Sequence, residues 1–433
     1  MERGQRRPPP KSDYNRGCMS RAFHYSGRDL YAEQVPVRQI ADSYGTPLYI
    51  YSKRTLLENF HSYQKAFRGI PHLICFALKS NSHSALLRLL ADEGSGADIV
   101  SGGELFRAMR AGIPAERIVF AGVGKTEREM QAALRAGILL FNVESAEELR
   151  ALSDVAGQLK KIAPIAVRVN PDVEVTTHPR IATGRHRHKF GVALSEALDV
   201  YLRAQGMPHI KIEGIHMHLG SQIMTPAPFR TAIRKVLQLV DRLREFHIGI
   251  EYFDIGGGAA IRYRKADSPL KPSQLAPLVK QLWRSRQLQL IVEPGRSIVG
   301  DAGILITRVL YRKKTAGRDF IVVDAGMNDF LRPALYDAHH EILPGGKTGR
   351  NKITADVVGP VCETSDIFAA HRVIQECRAG DLLAITDCGA YGASMSSQYN
   401  SRRRSAEVLV DGAKVKLISR RETEQDLIRH EIV

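Results

Sequence analysis

Eight short runs of strand-forming residues between positions 73 and 294 constrain the fold more than any other feature of the chain. Most of them are apolar along their whole length, which is typical of strands covered on both faces. Helical patterns separate them, and the runs are LICFALK, ADIVS, IVFAGV, LLFNVES, PIAVRVN, IEGIHMHLG, YFDIGGG and LQLIVEP. Eight strand–helix units predict a closed (β/α)8 TIM-like barrel, typically of ~250 residues, and favour it over an open doubly wound sheet.

The sequence changes character after residue 300, where strand-like runs alternate with turns and helical patterns are few. This texture predicts a second, mostly antiparallel β domain, as expected for a chain of 433 residues. An early segment, FHYSGRDLYAEQVP, is a candidate to pair with the later strands. The predicted organisation is a disordered basic arm over 1–22, the barrel over 45–300, and a β-rich domain over 23–44 and 301–433.

The chain is basic, with 62 Lys and Arg against 46 Asp and Glu, a formal charge of +16. Such an excess of positive charge makes nucleic acid a candidate partner. The basic residues are spread over the arm, RIATGRHRHK, YRKK and SRRRS, and no RNA-binding module accompanies them. The sequence therefore predicts a site for an anionic small molecule and no nucleic-acid partner.

The sequence offers no sign of a membrane or of an oxidising compartment. No apolar stretch is long enough to span a bilayer, and the start lacks the apolar segment of a secretory signal. Five widely scattered cysteines form neither a disulfide framework nor a metal-binding spacing. We therefore expect a cytoplasmic protein with no membrane partner and no metal.

Reactive side chains cluster at the ends of the predicted strands. In barrel enzymes these ends form the mouth, the face that carries the active site. The strand ends supply Lys79, Asp98, His218, the run Gly256–Gly258 and the block Glu293–Arg296. Each alone has an ordinary structural explanation, such as a surface lysine, a core histidine or a tight turn. Together at one face, they predict an active site.

The chemistry of these groups favours pyridoxal 5'-phosphate as the cofactor. This cofactor needs a lysine amine for its covalent attachment and a carboxylate near its pyridine nitrogen. Lys79 and Glu293 fill these roles, and His218 can stack on the ring. A glycine-rich backbone nest can bind phosphate. The phosphate donors predicted from the pattern are Gly257, Gly258, Gly295 and Ser221.

Eight ordered blocks resemble diaminopimelate decarboxylase, a family of alanine-racemase-like pyridoxal phosphate enzymes with an N-terminal barrel and a C-terminal β domain. The blocks are FALKSN, GADIVSGGEL, HMHLGSQI, DIGGG, EPGRSIVGDAG, RPALYDAHHEI, GPVCETSD and GAYGASMSSQYNSRRRSAEVLVDG. The likeness runs from about residue 25 to the end. It implies decarboxylation of meso-2,6-diaminopimelate to L-lysine and carbon dioxide, the last step of lysine biosynthesis, by a homodimer whose active site is shared between subunits.

The resemblance also assigns roles residue by residue. The implied catalytic residues are Lys79, Cys362, Glu293 and His218. The implied cofactor-binding residues are Lys79, Asp98, His218, Ser221, Gly256, Gly257, Gly258, Glu293, Pro294, Gly295, Arg296 and Tyr391. The implied substrate-binding residues are Arg296, Arg332, Tyr336, Glu363 and Tyr391. In the family, Cys362 and Glu363 come from the partner subunit. CETSD departs from the commoner CESGD, and the basic RHRH insert and the arm are unusual.

Three other functions remain as alternatives at this point. A decarboxylase of ornithine or arginine is disfavoured by RPALYDAHH and by Glu363, because that branch typically carries Asp after the cysteine. An alanine racemase needs a second base rather than a clamp for a distal carboxylate. A cofactor-binding protein without catalysis is disfavoured by the intact Lys79, Cys362 and Glu363.

Overall fold

The computed structural model describes residues 22–174, 189–283 and 286–432. The predicted basic arm, apart from Ala22, and the RHRH insert at 185–188 lie outside these residues. Ala22 itself is buried.

The described chain begins with a small antiparallel sheet beside a helix. The first elements are β1 (Phe23–Ser26), β2 (Asp29–Ala32), β3 (Val35–Pro36), α1 (Val37–Tyr44), β4 (Leu48–Ser52) and α2 (Lys53–Phe67). β1, β2 and β3 form a sheet of their own. The Leu30 N–H donates to the Gly345 carbonyl at 3.1 Å, and the Tyr25 hydroxyl donates to the Pro344 carbonyl at 2.6 Å. The early segment therefore contacts the C-terminal half, as the sequence suggested, although it forms a separate sheet.

Eight parallel strands close into the predicted barrel. Its strands are β5 (His72–Ala77), β6 (Gly96–Ile99), β7 (Ile118–Phe120), β8 (Leu140–Val143), β9 (Ala163–Asn170), β11 (Ile210–His216), β12 (Tyr252–Asp254) and β13 (Gln289–Val292), and β10 (Val192–Ala193) pairs with the end of β9. Each strand pairs with the next, and pairing of β13 with β5 closes the ring. The (β/α)8 prediction is confirmed, and the alternative of an open sheet is wrong.

Helices cover the outside of the barrel. They are α3 (Ser84–Asp92), α4 (Gly102–Arg110), α5 (Glu127–Ala136), α6 (Ala146–Gln158), α7 (Ala197–Gln205), α8 (Ala227–Glu245) and α9 (Pro272–Trp283). The short α10 (Arg296–Val299) follows β13. Local chemistry explains where three of them begin. The hydroxyls of Ser101, Thr126 and Ser145 each accept the N–H of a glutamate three residues later. This Ser/Thr-x-x-Glu pattern is a common helix start, and it fixes the residues at which α4, α5 and α6 begin.

The C-terminal part is a large, mostly antiparallel sheet, as predicted. Its elements are β14 (Gly303–Thr315), β15 (Arg318–Val323), α11 (Arg332–Tyr336), β16 (Ile342–Pro344), β17 (Lys352–Val358), β18 (Ile367–Gln375), β19 (Leu382–Ile385), β20 (Ala406–Asp411), β21 (Lys414–Ser419) and α12 (Glu424–Ile428). The strand order is β18-β17-β15-β14-β4-β20-β21, and β19 pairs with β14 and β16. Only the pairs β15–β17 and β4–β20 on this path are parallel.

β4 lies in this second sheet and not in the barrel domain that the sequence predicted from residue 45. It pairs antiparallel with β14 and parallel with β20, so it occupies the middle of the sheet. All five of its residues are buried, and the barrel ring itself begins only at β5. The correction has a physical reason, because an apolar strand needs neighbours on both edges and two covered faces.

The mouth of the barrel meets the C-terminal sheet directly. The Asn81 side chain, just after β5, donates to the Gly389 carbonyl at 3.0 Å. The Tyr391 N–H donates to the Ser80 carbonyl at 2.7 Å. These bonds fix the segment after β19 against the turn after β5. Among the described helices, none is long and apolar enough to cross a lipid bilayer.

Candidate active site

Lys79 lies directly after β5, in the single helical turn Leu78–Ser80. Its ammonium donates to Asp98 Oδ2 at 2.5 Å, and about a third (34%) of its side chain stays exposed. Burial would lower the pKa of Lys79, but Asp98, Glu293 and Tyr391 together raise it above its usual value. Burial and the nearby Glu293 raise the pKa of Asp98 to about 7, although Lys79 acts in the opposite direction. Lys79 is therefore held in place by a buried acid and remains accessible.

Glu293 follows β13 and is buried within a group of polar side chains. His216 Nε2 lies 3.4 Å from Glu293 Oε2, and the Asn142 side chain donates to Glu293 Oε1 at 3.5 Å. Burial opposes ionisation of Glu293, but His216 and Lys79 together hold its pKa below its usual range. The residue is a buried carboxylate that keeps its charge, as a partner for a protonated ring nitrogen must.

A second carboxylate lies beside Glu293. Asp254 is fully buried at the end of β12, and its Oδ1 accepts the Gly256 N–H at 2.8 Å. Burial and Glu293 raise the pKa of Asp254 well above its usual value. Three side chains, those of His216, Asp254 and Glu293, each offer one atom that could bind a metal, and these three atoms lie within 4.8 Å of one another. Such proximity would also suit a metal ion, so the expectation of no metal stays a prediction.

His218 faces the mouth as a neutral imidazole. Its Nδ1 accepts the Gly257 N–H at 3.2 Å. Burial, helped by the positive charges of Arg168 and Lys79, lowers the pKa of His218 well below its usual value. A neutral, fixed ring suits the predicted stacking role. The sequence predicts that the Gly257 N–H binds phosphate, but in this structure it donates to His218.

The glycine run is required by the close approach of three backbone segments. Gly256 and Gly258 have φ values of +69° and +104°, which favour glycine. A Cβ at Gly257 would lie 2.1 Å from the Glu293 carbonyl oxygen, and one at Gly258 would lie 2.3 Å from the Gly220 carbonyl oxygen. The run therefore places backbone without side chains between the strand ends.

The Pro294-Gly295 pair brings the end of β13 against the turn that carries Lys79. The Ala77 N–H donates to the Pro294 carbonyl at 3.2 Å. A Cβ at Gly295 would lie 2.9 Å from Ser80 Oγ. Only a residue without a side chain fits there, so Arg296 begins α10 next to the lysine turn.

Two buried arginines lie side by side at the mouth. Arg296 is 7% exposed and Arg332 is 6% exposed. Arg296 donates to Ser221 Oγ at 3.1 Å and to the Tyr263 hydroxyl at 2.6 Å, and Arg332 donates to the same hydroxyl at 2.9 Å. Within the described parts of the chain, neither guanidinium forms an ion pair with a carboxylate. Burying cations without an anion is costly, so the pair indicates a site for an anionic ligand.

A cavity of about 570 Å³ lies against the two arginines and His218, a volume suited to a small molecule. The predicted site residues that line it are His218, Ser221, Arg296, Arg332, Tyr336 and Tyr391. The Arg296 guanidinium lies 4.8 Å from the centre of the Tyr391 ring. A larger cavity of about 790 Å³ between α2 and α9 contains none of the strand-end residues, so chemistry rather than size identifies the site.

The remaining predicted residues do not line this cavity. Those at the strand ends are Lys79, Asp98, Gly256, Gly257, Gly258, Glu293, Pro294 and Gly295, and those of the C-terminal part are Cys362 and Glu363. Both are exposed on the loop between β17 and β18. The Cys362 N–H donates to the Asn400 side chain at 2.8 Å, and the Tyr399 hydroxyl donates to Glu363 Oε2 at 3.2 Å. Neither residue lines the cavity.

Several polar residues of the site were not identified from the sequence. They are Tyr263, His340, His216, Arg168 and Glu144. Arg168 donates to Glu144 Oε1 at 2.9 Å, and both side chains are buried. A signal existed for His216, which shares one side of its strand with His218, and for Arg168, a cation within an apolar run. Tyr263 and His340 carried no signal beyond that of ordinary core residues.

The groups at the mouth fit pyridoxal phosphate. The accessible amine of Lys79 and the ionised, buried Glu293 are the two groups that the cofactor needs, and the neutral His218 can stack on its ring. The two arginines and Ser221 supply donors for anions. The donor set therefore agrees with the predicted cofactor.

Comparisons with known proteins agree with this chemistry. Residues 53–300 match the family described as "Pyridoxal-dependent decarboxylase, pyridoxal binding domain". The diaminopimelate decarboxylase of Aquifex aeolicus is 50% identical over 400 residues, which cover 92% of this chain and 95% of the relative. That of Haemophilus influenzae is 48% identical, with 94% and 98% covered. The crystal structure of diaminopimelate decarboxylase from Helicobacter pylori complexed with L-lysine matches with a TM-score of 0.88 at 42% identity, covering 91% of this chain and 98% of that one.

Proposed function

The chain belongs to the diaminopimelate decarboxylase family, and from this premise we propose how the mouth of its barrel carries out the reaction. The enzyme uses pyridoxal phosphate to convert meso-2,6-diaminopimelate into L-lysine and carbon dioxide, the last step of lysine biosynthesis. The observation that carries the assignment of the site is the pair of buried arginines without a carboxylate partner. The substrate has the carboxylate that this pair lacks.

The residues around Lys79 hold the cofactor and control its charge. When bound there, pyridoxal phosphate would supply an electron-accepting ring for the loss of carbon dioxide. Glu293 stays ionised, so it can keep a proton on the ring nitrogen. His218 is neutral, so it would pack against the ring without adding charge. Asp98 holds the Lys79 amine in place through its 2.5 Å contact.

Arg296 and Arg332 select the substrate by binding its distal carboxylate. Arginine binds carboxylates through charge-assisted hydrogen bonds that can be bidentate. Tyr336 lines the same cavity and adds a hydroxyl group. Lysine or ornithine, bound for decarboxylation, would leave the buried arginines without an anion, which is unfavourable.

A substrate panel tests this function. The purified enzyme should release carbon dioxide from meso-diaminopimelate and only background amounts from L-lysine, L-ornithine and L-arginine. Arg332→Ala should lower kcat/KM for diaminopimelate by roughly 10- to 150-fold, because it loses a charged hydrogen bond of about 1.5–3 kcal/mol. The matched control is Arg318→Ala, which removes an exposed arginine of β15. If the enzyme decarboxylates lysine as fast as diaminopimelate, Arg296 and Arg332 do not select the substrate by its distal carboxylate.

Glu293→Gln tests the role of the carboxylate near the ring nitrogen. The variant should bind the cofactor but lose turnover by roughly 10²-fold or more, because a neutral amide cannot stabilise the protonated ring. Visible absorbance reports cofactor binding, and carbon dioxide release reports turnover. Glu251→Gln changes an exposed glutamate just before β12 and serves as the control. Near-normal turnover in Glu293→Gln would show that the assigned role is wrong.

The active site is proposed to be shared between two chains. Cys362 and Glu363 are exposed and do not line the cavity of their own chain. A two-fold dimer, the commonest closed assembly, can place them at the partner's mouth by one repeated contact. There Cys362 returns a proton to the α-carbon, and Glu363 pairs with the distal ammonium of the substrate.

We also propose a cytoplasmic location. The described cysteines Cys75, Cys362, Cys377 and Cys388 are free thiols. An exposed thiol such as that of Cys362 stays reduced in the cytoplasm, and oxidising compartments favour disulfides. The expectation that nucleic acid is not a partner stays a prediction.

A further inference from the structure

Tyr263 lies between the two buried arginines, Arg296 and Arg332. It follows the glycine run and is buried, with 7% of its surface exposed. Its phenol oxygen accepts one N–H from Arg296 at 2.6 Å and one from Arg332 at 2.9 Å. The Arg332 guanidinium also lies 4.7 Å from the centre of the Tyr263 ring. One tyrosine therefore contacts both cations at once.

The hydrogen-bonding capacity of the phenol leaves one group free. A tyrosine hydroxyl offers two lone pairs and one O–H donor. The two arginines occupy both lone pairs, because each donates an N–H to the oxygen. Across residues 22–174, 189–283 and 286–432, the O–H of Tyr263 has no hydrogen-bond acceptor. Tyr263 lines the 570 Å³ cavity, so this hydrogen is available to a ligand there.

His340 contacts both Arg332 and Tyr263 and holds them in place. Its Nδ1 must donate to the Thr386 carbonyl, at 2.7 Å, so its Nε2 is the acceptor that receives an N–H from Arg332 at 2.7 Å. The His340 ring packs edge-on against Tyr263, with ring centres 4.9 Å apart. The two nearest partners of Arg332 are thus neutral acceptors, which orient the guanidinium without cancelling its charge.

We propose that Tyr263 is a specificity-determining residue of this enzyme, which spaces the two guanidiniums and donates its O–H to the distal carboxylate of the ligand. A carboxylate oxygen in the cavity would then receive three converging donors, two cationic and one neutral. Charge-assisted hydrogen bonds of this kind are the strong ones. The inference rests on the proposed function only in that the ligand is an amino acid whose far end carries a carboxylate.

A pair of ligands separates this role from simple packing. L-Lysine carries a carboxylate at one end, and 1,5-diaminopentane has the corresponding amines and carbon chain without it. Tyr263→Phe keeps the ring and removes only the hydroxyl. In the holoenzyme, this variant should bind L-lysine roughly tenfold or more weakly, the loss expected for one hydrogen bond to a charged group. Binding of 1,5-diaminopentane should change less than about twofold.

The measurement is the change in visible absorbance of the holoenzyme as each ligand is added. The KM for diaminopimelate should rise by a similar factor, with a smaller change in kcat. Tyr311→Phe, at a tyrosine of β14 that is 69% exposed, is the matched control and should leave both affinities unchanged. The unfolding temperature of Tyr263→Phe verifies that the fold is kept.

Two outcomes would overturn the proposal. Equal weakening of both ligands would show that Tyr263 supports the site only by packing. An unchanged affinity for L-lysine would show that the hydroxyl does not contact the carboxylate. Failure of the wild-type enzyme to release carbon dioxide from diaminopimelate would instead refute the proposed function, so the two failures are distinguishable.

Discussion

Replacing Lys79 with alanine will abolish carbon dioxide release and leave the purified protein without covalently attached cofactor. We expect a loss of turnover of roughly 10³-fold or more, because the change removes both the covalent attachment and a positioned proton-transfer group. In the wild-type enzyme, borohydride should attach the cofactor permanently to the peptide that contains Lys79. Lys53→Ala is the control, because Lys53 forms a partly exposed ion pair with Asp411 and contacts none of the predicted site residues through its ammonium.

The structure argues against Lys125 as the lysine that carries the cofactor. Lys125 is buried, and its ammonium donates to the carbonyls of Gly122 and Asn142 at 2.8 Å and to Glu148 at 2.7 Å. All three donors of this amine are occupied, whereas the side chain of Lys79 is one-third (34%) exposed. A labelled peptide containing Lys125, or normal turnover in Lys79→Ala, would refute the assignment.

Mixing two inactive variants should restore activity to about a quarter of the wild-type value. Lys79→Ala and Cys362→Ala should each be nearly inactive as pure dimers. After random subunit exchange, about half of the dimers contain one chain of each kind. In such a dimer, one site combines the intact Lys79 of one chain with the intact Cys362 of the other. The readout is carbon dioxide release, measured before and after exchange.

The recovery distinguishes a shared site from a site built by one chain. If each chain used its own Cys362, every site in the mixture would lack one of the two residues and no activity would return. Subunit exchange itself must be demonstrated, for example with one variant carrying a purification tag. A mixture of Lys79→Ala with Glu293→Gln is the matched control, because both residues belong to the same barrel and no combination yields an intact site.

The barrel could be predicted from the sequence because its signals are local. Fully apolar runs mark strands covered on both faces, and the helical patterns between them are also read from a few neighbouring residues. The site residues at strand ends followed from the same reasoning, because all strand ends of a barrel meet at one mouth. The features that depend on local sequence patterns, namely the barrel strands and the residues at their ends, could therefore be predicted.

The remaining parts depend on contacts between residues that are distant in sequence. β4 is apolar like a barrel strand, and only its pairing with β14 and β20 assigns it to the other sheet. Tyr263 looks like an ordinary core aromatic until Arg296 and Arg332, brought from elsewhere in the chain, contact its hydroxyl.

The position of β4 also has a consequence for how the chain is made. β4 needs β14 and β20 as neighbours, yet β14 begins only at Gly303, after the entire barrel has been synthesised. At translation rates of ~5–20 residues per second, about 250 residues take roughly 13–50 s. During that time β4 leaves the ribosome with both edges unpaired, in the state that favours association with other nascent chains. The barrel is thus an insertion within the β domain, and folding can finish only when the last strands are released.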